Sequence, residues 1–166
     1  MKSFICAVAV FALAGCSTVP ILSTHLQTSR SAIGASGGAF SASYAGRFTS
    51  SPCSNGRNGT FSFGGSGYGN LIGSSSETGS LTSRSRNGQC RFLYKGPTTL
   101  TSTLHPRNTI MLSLSERGYT PCVIPPTFAV TGGTGTFAHA TGSGKVVFMC
   151  HLDGTYTDQW SGSITF

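Results

Sequence analysis

Glu77, Glu116, Asp153 and Asp158 are the chain's only carboxylate side chains, and glycosidase-type acid–base chemistry would need two of them facing one bond. Asp153 and Asp158 fall where the pattern predicts turns, which makes them solvated turn residues. His151 and Asp153 are two positions apart, so on one strand they would share a face as an imidazole–carboxylate pair. Such a pair still needs a nucleophile. The many serines single none out, and no G-x-S-x-G elbow occurs. His139 stands two residues from Phe137, so an extended segment would put both on one face, lining a pocket or a barrel interior. The stretch GSGK, residues 142–145, lacks P-loop spacing, is followed by Val146 and leads into a strand instead of a helix N-terminus. His25 has no Cys, His or carboxylate at ligand spacing, and no C-x-x-C occurs, so no metal site and no other cofactor is expected. The remaining reactive group is a thiol. Cys16 follows Leu13-Ala14-Gly15 at the end of an apolar run, where small residues let the backbone enter a narrow protease site. Its sulfur is the one good nucleophile in that neighbourhood.

The run itself, FICAVAVFALA over residues 4–14, follows Met1-Lys2 and has the length of a signal peptide. It falls short of the roughly 20 residues that a spanning helix needs. Leu13-Ala14-Gly15-Cys16 resembles the lipobox of bacterial lipoproteins. The resemblance implies a lipid, palmitate included, on Cys16 and cleavage just before it. Ser17 stands where an acidic residue often marks inner-membrane retention in that family, so the resemblance also implies an outer-membrane address. Cys6 would leave with the signal.

Stepping outward from these groups, residues 1–15 are expected to be a signal, 16–38 a lipid-anchored flexible tether, and 39–166 a folded domain. The tether has no steady period and ends in Gly37-Gly38. Gly, at 23 residues, with dense Ser and Thr, is not a helical composition, whereas 38% apolar residues exclude a disordered one. From residue 39 period-two stretches follow one another: 39–48, 59–67, 78–84, 89–96, 98–104, 109–115, 127–133, 135–142, 144–151, 154–158 and 159–166. Gly, Asn-Gly or Pro separates most of them. The fold expected is all-β, a small antiparallel barrel or sandwich of roughly 8–10 short strands, with the barrel preferred because closure removes exposed edges. In an exported chain Cys53, Cys90, Cys122 and Cys150 predict two disulfides. Of the three connectivities, Cys53–Cys90 with Cys122–Cys150 is favoured because each closes nearby hairpins.

VTGGTGTFAHATGSG, residues 130–144, is similar to the V-x-G-G-T-G-x-F-x-x-A-x-G hairpin of dirigent and allene oxide cyclase-like barrels, a pattern also found in exported bacterial proteins. GSGYGNLIGSSSETGSL, residues 65–81, resembles the Gly-rich strand upstream in such proteins. The likeness implies a barrel and leaves activity open. Physically, the glycines permit a positive-φ turn, Phe137 plugs the core and Ala140 allows close packing. QWSGSITF, residues 159–166, resembles the last strand of outer-membrane barrels, but those need strands of about 9–11 residues, longer than most expected here.

Removing Lys2 with the signal leaves ten Lys and Arg against four acids. Arg84, Arg86, Arg91 and Lys95 surround the Asn87-Gly88 turn and form a candidate anion-binding patch. Phe92 and Tyr94 interleave with it, as on nucleic-acid surfaces. An envelope address makes nucleic acid a poor partner and points to the membrane itself, through the N-terminal lipid, and to an anionic envelope lipid or polysaccharide. The function expected is a non-enzymatic binding or structural role at the envelope. A small isomerase or cyclase-like barrel enzyme is the alternative. An inhibitor of a secreted hydrolase using the TPCVIPPT loop, residues 120–127, is a third reading, though positive charge disfavours the usually basic lysozymes as its target.

Overall fold

Alternation closes this chain on itself. In β1, Gly37–Phe48, the side chains of Phe40, Ala42 and Tyr44 are buried while Ser41, Ser43 and Arg47 face water. The same rule runs through β2 (Gly59–Gly69), β3 (Gly73–Ser83), β4 (Phe92–Ser102), β5 (Thr109–Gly118), β6 (Thr127–Thr134), β7 (Thr141–Cys150) and β8 (Thr155–Thr165). The computed structural model describes residues 36–49, 59–83, 92–118, 122 and 124–166. Its eight strands pair in chain order, each antiparallel to the next, and β8 returns to β1 to close the barrel. A period of two sends one face of every strand inward, and closure leaves no strand edge to aggregate.

The expected barrel is present, but several segments join. Residues 89–96 and 98–104 were separate by pattern because Pro97 punctuates them; β4 runs straight through. Pro97 is tolerated because the break it makes is local: the β3–β4 register is the same on either side, at Gly79↔Thr98 and Thr82↔Lys95, and β4 stays paired with β5 across it, Pro97 opposite Ser113. Residues 154–158 and 159–166 likewise form the single strand β8, with Asp158 in its middle instead of at a turn. Residues 135–140 are not a strand, and 141–142 open β7. Gly135–Phe137 form a 3-10 turn entered at Gly135, φ +59°, which carries Phe137 into the barrel mouth against Phe166, ring centroids 4.7 Å apart. Phe137 and Ala140 are both buried, as the hairpin pattern predicts. β1 takes in Gly37 and Gly38, which pair with Thr165 and Ile164, so the barrel begins two residues before the expected boundary.

The core is aromatic and aliphatic. Phe63, Phe148 and Tyr156 pack with Phe48 toward one end, and Phe40, Phe128 and Trp160 toward the other. The strands are eight to twelve residues long, longer than the pattern suggested. Length alone would suit a membrane barrel. The polarity does not, because such a barrel turns an apolar band outward, whereas here Ser41, Ser43 and Arg47 of β1, Lys95 of β4, and Thr141, Ser143 and Lys145 of β7 face out, with Val147 and Met149 the apolar exceptions on β7.

Candidate functional site

Two cross-barrel rows explain how acids come to lie inside an apolar barrel. In the first, Tyr156 of β8 pairs with Gly46 of β1, Gly46 with Gly65 of β2, and Gly65 with Glu77 of β3. The two glycines leave the inner wall bare, and the Tyr156 side chain lies across them. A Cβ at Gly46 would stand 2.7 Å from the Tyr156 hydroxyl, and one at Gly65 3.1 Å from it. The hydroxyl thereby reaches Glu77 and donates to Oε1. In the second row Asp158 pairs with Tyr44, Tyr44 with Gly67, and Gly67 with Ser75. Tyr44 spans the bare glycine to meet Ser75 Oγ at 2.8 Å, and Ser75 donates onward to the Gly73 carbonyl at 3.1 Å.

Between the rows sit Glu77 and Asp158, at 1% and 0% exposure. No Lys, Arg or His is buried with them among the described residues. Two carboxylates cannot both be charged in such a place, so they share a proton. Burial first, and then the Asp158 charge, raise Glu77 strongly. Burial also raises Asp158, but hydrogen bonds from Glu77 and from the Tyr44 N–H, at 3.1 Å to Oδ1, hold the negative form there. The proton therefore belongs to Glu77. Glu77 Oε2 and Asp158 Oδ2 find no other partner among the described residues, and a proton between the two carboxyls satisfies both. The Trp160 indole N–H faces both acids and its field favours their charged forms, yet it completes no hydrogen bond of ordinary geometry. Burial and the neighbouring acids push both tyrosine hydroxyls well above their usual range, so each stays a donor. Glu116, on the inner face of β5, is buried with neither oxygen bonded, and burial raises it to about 7.

This arrangement has the make-up of a general acid–base pair, sealed inside the wall. The residues singled out by sequence lie elsewhere. His139 and His151 are exposed. His139 does not share a face with Phe137, because the 3-10 turn replaces the period of two with one of three. Asp153 is the exposed turn residue expected, and the Thr155 hydroxyl and N–H hold its carboxyl below the usual range. Lys95 is exposed on β4. Arg84, Arg86 and Arg91 fall in the β3–β4 connection and lie outside the described residues, as do Cys16, Cys53 and Cys90. Cys122 and Cys150 are joined in a disulfide with Cα atoms 5.6 Å apart, the second of the expected pairs. Of the TPCVIPPT loop, Ile124 and Pro125 are exposed.

One consequence concerns charge. Three of the chain's four acids point inward, which leaves Asp153 as the one exposed carboxylate side chain. Arg47, Lys95, Arg107 and Lys145 are all exposed. The sequence misread this because Asp158 borders a turn signal and Glu77 sits among serines, where no apolar neighbour marks the inner face. The visible signal is the spacing Gly65-x-Gly67-x-Gly69 beside strands carrying Tyr44 and Tyr156. Comparison with known proteins finds no family model that matches the chain and no curated protein significantly similar to it.

Proposed function

We propose that this chain is a lipid-anchored, non-enzymatic binding domain of the bacterial envelope that engages an anionic envelope component through its outer surface. The observation that carries the reading is the inward placement of Glu77, Glu116 and Asp158. Without them, the ten Lys and Arg downstream of residue 15 face a single exposed acidic side chain, Asp153. Such a surface draws polyanions at encounter and loses hold of them as salt rises. The anchor is Cys16, as the lipobox likeness implies, and two or three acyl chains would hold it firmly.

The test has two arms. Mass spectrometry of the mature N-terminus is expected to find an acylated cysteine. Retention of the full mature chain on an acidic polymer is expected at an ionic strength of roughly 0.01 M and to fall steeply by about 0.15 M. An unmodified N-terminus removes the anchor, and salt-independent retention removes the electrostatic partner.

The alternative, a barrel enzyme of isomerase type, draws on the Glu77–Asp158 pair. Its difficulty is access, since both acids are at or below 1% exposure. A small polar ligand that protects Glu77 from carbodiimide labelling would favour it.

A further inference from the structure

Three adjacent strands, β8, β1 and β2, form one outer wall of the barrel. Its middle row is small: Thr157, Ala45 and Ser66 stand side by side in register. On one side the next row carries Gln159, Ser43 and Tyr68, and Tyr68 is 62% exposed, a whole aromatic ring standing free on a strand. On the other side the next row carries Thr155, Arg47 and Gly64. Two separate hollows of about 330 and 580 Å³ lie one after the other along β1 on this wall and together make a discontinuous trough, the first beside Tyr68 and Gln159, the second walled by Arg47 and His151. From Ser41 to Arg47 the trough runs six strand steps, about 20 Å.

We propose that this trough binds a linear polysaccharide carrying carboxylate groups, with Tyr68 as the stacking platform and Arg47 with His151 as the anion-binding end. The chemistry matches at each point. A sugar ring presents one apolar C–H face, which a free tyrosine ring covers, and the phenol tip stays wet. Its hydroxyls meet Ser43, Ser66 and Thr157, short side chains that lose little entropy on binding, and the Gln159 amide. The acid groups meet Arg47, whose planar fork suits a carboxylate. No strand of this wall turns a carboxylate outward, because Asp158 of β8 faces in. Asp153 lies beside Arg47 and His151 but is held by Thr155. The length separates a polymer from a lipid headgroup, which would fill one end of the trough only.

This inference rests on the anionic partner proposed above, and the experiment separates the two. The full mature chain and its variants are titrated at low ionic strength with polygalacturonate, with neutral dextran and with phosphatidylglycerol vesicles. Polygalacturonate is expected to bind and dextran to bind far more weakly. Tyr68→Ala and Arg47→Gln are each expected to weaken binding about fivefold or more, while Tyr68→Phe keeps the ring and the affinity. Arg107→Gln removes the same charge from the β4–β5 connection, outside this wall, and is expected to change little. If Tyr68→Ala binds like the parent, or Arg47→Gln and Arg107→Gln weaken binding equally, the trough is wrong and the diffuse polyanion surface survives. Binding to vesicles but not to polygalacturonate overturns the polysaccharide in favour of lipid. Binding to neither overturns both.

Discussion

At the scale of single residues the molecule turns on a proton. Glu77 is neutral because burial and Asp158 make its charged form costly, and in that state it accepts from Tyr156 and donates to Asp158. Glutamine reproduces that pattern: its carbonyl accepts from Tyr156 and its amide donates to Asp158. Glu77→Gln is therefore expected to keep the fold within about 1 kcal/mol at mildly acid pH and to gain on the parent as pH rises, because the parent's unfolded chain ionises at this position while its folded state holds the proton. Glu77→Leu leaves the Tyr156 hydroxyl and the Asp158 carboxylate without their partner and is expected to cost about 3–5 kcal/mol. Urea denaturation of the three proteins at acid and alkaline pH measures both effects. Equal damage from Gln and Leu would mean that volume, not the proton, is what matters at position 77. None of this was legible in the sequence. An acid among Ser74, Ser75, Ser76 and Thr78 carries no apolar neighbour to tell which face is inner, and Asp158 reads as a turn residue until Tyr44 is seen to donate to it.

At the scale of elements the strand pattern was legible and its interruptions were not. Phe40-x-Ala42-x-Tyr44 and Ile110-x-Leu112-x-Leu114 declare their buried faces directly. Pro97 looks like a boundary, but unbroken pairing with β5 on its other side carries β4 past it. The glycines of β2 look alike in sequence, and the fold separates them. A Cβ at Gly65 would lie 2.6 Å from the Ala45 carbonyl oxygen, beneath the Tyr156 ring, whereas one at Gly64 meets nothing closer than 3.6 Å. Gly65→Ala is expected to cost about 2–4 kcal/mol, first by pressing on the Ala45 carbonyl of β1 and then by crowding the Tyr156 hydroxyl, and Gly64→Ala less than about 1 kcal/mol. Thermal unfolding of the pair decides it, and equal losses would show that Tyr156 does not need the bare wall. The Cys122–Cys150 bridge ties the β5–β6 connection to the end of β7 across a sequence separation of 28. Replacing both cysteines with serine is expected to cost about 2–4 kcal/mol, most of it through the unfolded chain, and to leave the strand content unchanged by circular dichroism.

At the scale of the whole molecule, sending acids inward and bases outward couples stability to pH in an unusual direction. Glu77, Asp158 and Glu116 all have folded values above the ordinary carboxylate range, Glu116 at about 7. Between about pH 4.5, where unfolded carboxyls titrate, and neutrality, the native barrel therefore holds more protons than the unfolded chain. The sign follows: when the folded state binds the extra protons, stability falls as pH rises. The contribution is complete below the unfolded values and is lost progressively as each folded value is passed. The proton that the buried pair retains gives a slope approaching about 1.4 kcal/mol per pH unit. Asp153 acts in the opposite sense, since its value is lowered, but its effect is confined to acid pH. The urea midpoint is expected to be highest near pH 5 and to decline steadily through pH 6, 7 and 8. Refolding in weak buffer near pH 6 is expected to take up protons from solution. A flat or rising midpoint over that range, or proton release on refolding, would mean the acids are not sealed as described. Their carboxylates would then face water and offset the surface charge from which the polyanion reading starts.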